Sequence, residues 1–195
     1  MSELVTLPKP NQKGQMALEQ AIAVRRSRRN FSSQSLTFEQ IGQLTWAAQG
    51  RDAHSKYRTT PSAGATYPLE LFVVTSDGFF RYLPAKHALE KLTEQDLRAE
   101  LASAAWGQDF IKAAPLTLVF AAQFSRTTNH YGQRGVRYVY MEAGHAAQNV
   151  HLQAEALGLG SVAVGAFDDS SVSKVLSLPN DLEPIYMVVV GYYRR

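Results

Sequence analysis

Two uninterrupted apolar runs constrain the fold of this chain more than any other feature. One is LTLVFAA at residues 116–122, and the other is IYMVVVG at residues 185–191. Because neither run alternates apolar with charged residues, both faces of each strand must be covered, and we expect both strands inside a sheet. The 195 residues are 45% hydrophobic, which is enough for one domain with its own core.

The rest of the chain predicts helices interleaved with about five strands. Further strands are expected at residues 69–75, 79–83 and 161–167, with a hairpin at Ser76-Asp77-Gly78. Helices are expected from residue 16 to the arginines at 25–29, from a Thr37/Gln40 capping box to Gly50, over 93–105, over 136–157, and after Asp168 or Asp169. We therefore predict a single α+β domain over residues 16–195, preceded by an extended arm over residues 1–15 that contains Pro8 and Pro10.

The long helix carries a face of small residues formed by Ala143, Gly144, Ala146 and Ala147. Such a face allows another helix to approach closely. Two interpretations are open: burial in the core of the monomer, or a homodimer interface. The length of the helix in a chain of this size slightly favours the dimer.

Several kinds of chemistry are excluded or disfavoured by composition and spacing. The chain has no cysteine, so it has no disulfide, thiolate metal site or cysteine nucleophile. Gly158-Leu159-Gly160 matches part of a dinucleotide-binding fingerprint, but it ends a helix and enters a strand, the reverse of the order that binding needs. His145 and His151 are six residues apart and face different sides of a helix. We therefore predict no metal site.

The most unusual polar feature is the sequence RRSRR at residues 25–29. Three interpretations are open: a solvated basic turn, a nucleic-acid contact, or a pocket for a single phosphate. Without these four arginines the chain has 16 basic and 17 acidic residues, whereas a nucleic-acid footprint spreads over a whole face. Guanidinium groups and the Ser27 hydroxyl suit one dianionic phosphate. The charge balance therefore argues against a nucleic-acid partner.

Two further segments have small residues where a flat ligand could approach the backbone. One is PSAGATYP at residues 61–68, preceded by Arg58, and the other is VGAF at residues 164–167. Gly165 and Ala166 would leave their amides open at the end of a strand. The alternative for the first segment is a simple loop that leads into the strand at Leu69.

Together these segments resemble the nitroreductase family of FMN-dependent oxidoreductases, and more narrowly its SagB/ThcOx-type dehydrogenase branch. The similarity extends over nearly the whole chain. It is carried by R-R-S-x-R-x-F at 25–31, Arg58 with the 61–68 loop, Trp106-Gly107-Gln108 before Ala114-Pro115, GHAAQN at 144–149, Gly158-Leu159-Gly160 leading to GAF at 165–167, and the closing strand.

This resemblance implies an α/β sandwich with a mostly antiparallel central sheet flanked by helices, and an obligate homodimer with two FMN sites at the subunit interface. It implies that the FMN phosphate and pyrimidine edge are held by Arg25, Arg26, Ser27 and Arg29, with a contribution from Arg194. It also implies that Pro61, Ser62 and Ala63 come from the second subunit to pack near the flavin ring. Gln108 would bond the ring, and Val164, Gly165 and Ala166 would line it, with a backbone N–H directed at N5. Many relatives have Glu where this chain has Gly165.

The resemblance further implies hydride transfer through the flavin N5 in a ping-pong reaction, between NAD(P)H or an organic donor and a small acceptor. One alternative is an azoline dehydrogenase that acts on a modified peptide beside a cyclodehydratase, which is not favoured because the chain shows no added leader-binding domain. Another is a flavin store without turnover. Tyr131 and Tyr138 are candidates for substrate-side acid/base or stacking roles, or for ordinary packing, and Lys56 and Lys112 are equal candidates as proton carriers.

The N-terminal residues show no secretion signal, and no run approaches the roughly 18 apolar residues of a membrane span. We therefore predict a cytoplasmic protein with a small-molecule substrate, without a membrane or nucleic-acid partner.

Overall fold

The two apolar runs lie side by side at the centre of one sheet. A computed structural model describes residues 3–51 and 57–193. The strands are β1 (Leu4–Thr6), β2 (Leu69–Thr75), β3 (Gly78–Leu83), β4 (Ala88–Thr93), β5 (Leu116–Ala122), β6 (Gly160–Val164) and β7 (Glu183–Gly191). Their order in the sheet is β1-β4-β3-β2-β5-β7-β6, and each neighbouring pair is antiparallel. β5 pairs with β7 from Leu116 opposite Val190 to Ala122 opposite Glu183.

Helices cover both faces of this sheet, as the apolar runs predict. The helices are α1 (Leu18–Val24), α2 (Phe38–Gln49), α3 (Arg98–Ala104), α4 (Asp109–Ala113), α5 (Ser125–Tyr131), α6 (Arg134–Ala156) and α7 (Asp169–Val175), with a short 3-10 turn at Ala63–Ala65. Leu118 of β5 belongs to the core shared with α2 and α6, whereas Val119 faces the core shared with α3, α4 and α7. The prediction of an α+β sandwich around a central antiparallel sheet is confirmed.

Helix boundaries follow the signals in the sequence. The Thr37 hydroxyl accepts a hydrogen bond from the Gln40 N–H, and the Gln40 side chain accepts one from the Thr37 N–H, so the predicted capping box is present. Gly50 ends α2. Asp168 caps α7 by accepting the Ser171 N–H at 2.7 Å. These are local signals, and they survive folding because the groups involved are only a few residues apart.

Four elements were not predicted, and some boundaries were wrong; the strand expected over residues 161–167, for example, ends at Val164. The strands β1 and β4 and the helices α4 and α5 are all short. The helix expected to begin at Thr93 begins instead at Arg98, because Thr93 is the last residue of β4. The predicted N-terminal arm is extended, and its residues 4–6 pair with β4.

The small-residue face of α6 packs inside the subunit. Ala143, Ala146 and Ala147 are at most 3% exposed in the core between α6 and the sheet, whereas Gly144 is exposed. The preference for a dimer interface on this face was therefore wrong: the small side chains allow α6 to lie close to its own sheet. A search of the described residues finds no helix that is long and apolar enough to cross a membrane.

Candidate functional site

The arginine-rich segment runs along the outer edge of β6. Ser27 forms a parallel bridge with Ser161, and the Arg28 N–H donates to the Ser161 carbonyl at 2.9 Å. The Arg26 N–H donates to Glu155 Oε1 of α6 at 3.4 Å. These contacts fix the position of the segment's backbone relative to β6 and α6.

The charges of this segment are poorly neutralised by the protein itself. Within the described part of the chain, only Arg28 of the four arginines has a carboxylate within ion-pair distance, Glu155 at 4.0 Å. The Arg28 guanidinium also lies 4.1 Å from the centre of the Tyr193 ring. Arg26 Nη1 donates to two backbone carbonyls. The guanidiniums of Arg25 and Arg29 therefore keep donors available for an external anion.

A buried histidine lies behind the arginines. His151 Nδ1 is 2.7 Å from the Ser161 hydroxyl. Burial, and then the nearby Arg25 charge, lowers the pKa of His151 to about 4. His151 is therefore neutral near pH 7 and adds no charge to the cluster, and its contact with Ser161 supports the strand to which the arginine segment is paired.

Next to the arginines, the end of β6 exposes backbone that few side-chain atoms cover. Val164 is buried, whereas Gly165 and Ala166 are exposed. The Gln108 side-chain amide donates to the Ala166 carbonyl at 2.8 Å, and the Arg29 guanidinium lies 5.7 Å from the centre of the Phe110 ring. We call residues 25–29, Gln108 and residues 164–166 the basic half-site. The structure thus brings together these predicted cofactor-binding residues.

The loop that contains Pro61, Ser62 and Ala63 has an unusual backbone. Gly64, Ala65 and Tyr67 have positive φ angles of 59°, 53° and 47°, a region that residues other than glycine rarely adopt. The Ser62 hydroxyl accepts the Tyr67 N–H at 2.9 Å and so closes the turn. The surrounding structure must hold this conformation in place.

The helices α5 and α6 supply that support. From α5, the Thr127 hydroxyl is 2.8 Å from that of Thr66. Tyr131 lies against Gly64, and its ring packs edge-on against Tyr138 of α6 at 5.2 Å between centroids. Tyr131 and Tyr138, which the sequence offered as substrate-side candidates, are therefore half-buried neighbours of this loop.

A buried charged network lies beneath the loop. Arg58 donates to Gln49 Oε1 at 2.7 Å and to the Leu69 carbonyl at 3.0 Å, and its guanidinium lies 4.8 Å from the centre of the Tyr67 ring. Glu142 of α6 is 3% exposed. Burial raises the pKa of Glu142 to about 7, although a hydrogen bond from Ser62 and the charge of Arg58 both act to lower it. We call Arg58, residues 61–67 and Glu142 the loop half-site.

The two half-sites contact α6 at different points. Glu142 belongs to the loop half-site and Glu155 contacts the basic half-site, and the two residues are about 20 Å apart along α6 at a rise of about 1.5 Å per residue. One subunit therefore does not bring Pro61, Ser62 and Ala63 against residues 25–29. Arg194 and Lys56 lie outside the described residues, and Lys112 is an exposed residue of α4.

Sequence reasoning missed the buried polar residues that support both half-sites. From the sequence, no role was assigned to Glu142, Glu155 or Ser161. A usable signal was present, because Glu142 and Glu155 are buried at the two edges of the apolar face of α6 that contains Ala146 and Val150. Carboxylates on an otherwise apolar face need a partner, and here those partners include Ser62 and the Arg26 N–H.

Comparison with known proteins places the chain in a family. The profile of the Nitroreductase family matches residues 22–192. The chain belongs to the nitroreductase family. A Methanocaldococcus jannaschii protein named as a nitroreductase is 42% identical over 183 residues, 91% of each chain. A crystal structure of a Ralstonia eutropha JMP134 protein named as a nitroreductase superposes with a TM-score of 0.89 at 32% identity, over 98% of this chain and 90% of that one.

More distant relatives of this nitroreductase-family chain have different named roles. McbC, the microcin B17-processing protein of Escherichia coli, is 28% identical over 161 residues, which cover 77% of this chain and 58% of McbC. An FMN reductase [NAD(P)H] of Bacillus subtilis is 29% identical over 115 residues, which cover 51% of this chain and 45% of that reductase. The family is therefore established, while its members differ in their reactions.

Proposed function

We propose that the protein is an FMN-dependent oxidoreductase that transfers a hydride between NAD(P)H or an organic donor and a small acceptor. The observation that carries this proposal is the basic half-site. Arginine donors without carboxylate partners in the described chain lie next to a backbone surface that has almost no side chains. An anion attached to a flat ring fits this combination.

The residues present suit the chemistry of FMN. Its phosphate is a dianion near neutral pH, and the donors of Arg25 and Arg29, with the Ser27 hydroxyl, can bind such a group. Gly165 and Ala166 leave room for a planar ring to approach the strand end, and Val164 supplies an apolar contact below it. The Gln108 amide holds Ala166 in place through its carbonyl. When bound, FMN would supply the hydride chemistry at N5, and the protein's part is to bind and orient it.

The separation of the half-sites supports a homodimer. In an arrangement with the FMN sites at the subunit interface, Pro61, Ser62 and Ala63 of one subunit would complete the basic half-site of the other. Large apolar residues are exposed on the helices that would flank such an interface. They are Leu18 and Ile22 on α1 and Tyr140 and Met141 on α6, each more than half exposed.

A second function is favoured by one comparison. The similarity to a microcin-processing protein suits an azoline dehydrogenase that acts on a modified peptide. Because a relative named as a nitroreductase is 42% identical over 91% of both chains, a much fuller match than that to the microcin-processing protein, we prefer the reductase. Tyr131 and Tyr138 stay candidates for the substrate side in either reaction, since they border the loop half-site.

The test is the colour of the purified protein and its response to nicotinamide. We expect a flavin absorption band, a dimer by analytical ultracentrifugation, and bleaching of the band on anaerobic mixing with NADH or NADPH. A band that persists with both nicotinamides argues instead for a dehydrogenase with an organic donor or for a flavin store. A colourless protein that fails to bind added FMN would overturn the proposal.

A further inference from the structure

Glu142 combines deep burial with incomplete hydrogen bonding. Its side chain is 3% exposed, and Oε1 has no hydrogen-bond partner among the described residues. A buried carboxyl normally has partners for its oxygens, because leaving one without a partner is costly. The groups that interact with the Glu142 carboxyl are Ser62 and Arg58, both in the loop half-site. This pattern indicates a role in that loop rather than in the general stability of the core.

Ser62 connects Glu142 to the strained part of the loop. The Ser62 hydroxyl donates toward the Glu142 carboxyl and accepts the Tyr67 N–H at 2.9 Å. A hydroxyl has one proton, so an ionised Glu142 fixes where that proton points and leaves a lone pair for Tyr67. A protonated carboxyl can itself donate, and then the Ser62 hydroxyl no longer has a fixed acceptor. The positive φ at Tyr67 depends on the same hydroxyl.

We propose that Glu142 is a positioning residue that, in its ionised form and through Ser62, holds the 61–63 loop in the shape that completes the flavin site of the second subunit. The inference rests on the proposed function and adds to it the group that makes the loop respond to pH.

Burial and the charges around Glu142 together set its pKa. Arg58 faces Glu142 from the loop half-site. Arg58 also interacts electrostatically with Glu70 of β2, Arg126 of α5 and the Tyr67 hydroxyl. Glu70 is paired with Arg126 at 2.7 Å and with Arg81 at 3.0 Å, and it also attracts Arg58, more strongly than Glu142 does. Burial outweighs the attraction of Arg58, and the pKa of Glu142 is raised to about 7. The charge of Glu142 therefore changes around neutral pH.

The first test measures FMN binding to the refolded apoprotein dimer between pH 6 and pH 8. If the ionised form binds and the protonated form does not, the dissociation constant of the wild type rises about tenfold from pH 8 to pH 6. The Glu142→Gln variant cannot ionise, so its change over the same range should be smaller by that factor. The FMN phosphate also titrates in this range, but it does so in both proteins and cancels in their ratio. Glu100→Gln, at an exposed residue of α3, is the matched control and should behave as wild type.

The second test needs no flavin. The Tyr67 amide proton, observed by NMR in the apoprotein, should shift between pH 6 and pH 8 in the wild type, and should lose that transition in both Glu142→Gln and Ser62→Ala. Ser62→Ala keeps the proposal testable if Glu142→Gln does not fold. A Tyr67 transition without any FMN binding would overturn the proposed function and leave the role of Glu142 in the loop intact. FMN binding with the same pH profile in wild type and Glu142→Gln would overturn the inference alone.

Discussion

The two half-sites are built in opposite ways. In the basic half-site, the arginines are exposed (Arg26 and Arg29) or half-buried (Arg25 and Arg28) on a segment whose backbone is paired to β6, and their guanidiniums have few protein partners. In the loop half-site, Arg58 is half-buried and bonded to Gln49 and Leu69, and Glu142 is almost fully buried below the loop. One region fixes its backbone and leaves its charges available, whereas the other uses its charges to fix its backbone.

This difference predicts which substitutions each half-site should tolerate. Removing an exposed arginine leaves the fold intact and weakens anion binding, because its side chain contributes little to packing. Altering the buried network changes stability and loop shape together, since each of its groups is a partner of another. Substitutions in the two regions should therefore separate into effects on ligand binding and effects on folding.

The largest effect is expected for Arg25→Ala combined with Arg29→Ala. Hydrogen bonds to charged groups contribute about 1.5–3 kcal/mol each, so the loss of two should weaken FMN binding by at least about 100-fold. Flavin fluorescence titration of the apoprotein measures this directly. The double variant Lys9→Ala, Lys86→Ala removes the same charge at exposed positions and should bind FMN normally. Stoichiometric FMN in the double arginine variant would show that the phosphate lies elsewhere.

The next largest effect is expected for Glu142→Gln, on the free energy of unfolding. Its pKa is raised from 4.5 to about 7 by burial, so the folded protein holds this proton to a higher pH than the unfolded chain does. The contribution of the protonated Glu142 carboxyl to the stability of the fold is fully present below pH 4.5 and is lost as the pH rises through 7. Glu142→Gln should therefore raise the free energy of unfolding by up to about 3 kcal/mol at pH 8, and by much less at pH 5. Urea unfolding at both values checks this, and an equal effect at the two pH values would contradict it.

The sequence predicted the centre of the fold better than its margins. β5 and β7 were predictable because a strand that is apolar on both faces belongs inside a sheet. The capping box at Thr37 was predictable because its groups are neighbours along the chain. β1 and β4 were not, since these two strands at one margin of the sheet have exposed residues such as Leu4 and Leu92 and no apolar pattern of their own.

The same reasoning applies to the candidate site. Arg25 and Arg29 could be singled out because an unpaired cluster of charge is visible in the sequence. The importance of Glu142 was not visible, because it depends on which residues α6 covers and on the position of Ser62, eighty residues earlier in the chain. The small face of α6 was misassigned for a related reason: small residues allow any close neighbour, and only the tertiary structure shows that they face the subunit's own core, which includes α2 and the sheet.

A smaller effect tests how closely Arg25 and His151 are coupled. Burial is the main cause of the low pKa of His151, near 4, and the charge of Arg25 is the second. Arg25→Ala should therefore raise the pKa of His151 by a fraction of a unit and leave it below its ordinary value of 6.5. NMR titration of the imidazole carbons measures the shift. No shift at all would mean that Arg25 points away from β6, which would also weaken its assignment to the phosphate.

The smallest effect is expected at Gly165. A Cβ at this position would meet only the Tyr186 ring, at 3.6 Å, and the residue is exposed. Gly165→Glu should therefore change the free energy of unfolding by no more than about 0.5 kcal/mol. The glycine of the other half-site is the contrast. Gly64 has a positive φ, and a Cβ there would lie 2.7 Å from the Tyr131 hydroxyl, so Gly64→Ala should cost about 1–3 kcal/mol. Similar costs at the two glycines, measured by urea unfolding, would remove the distinction between a half-site that leaves its groups available and one that packs them.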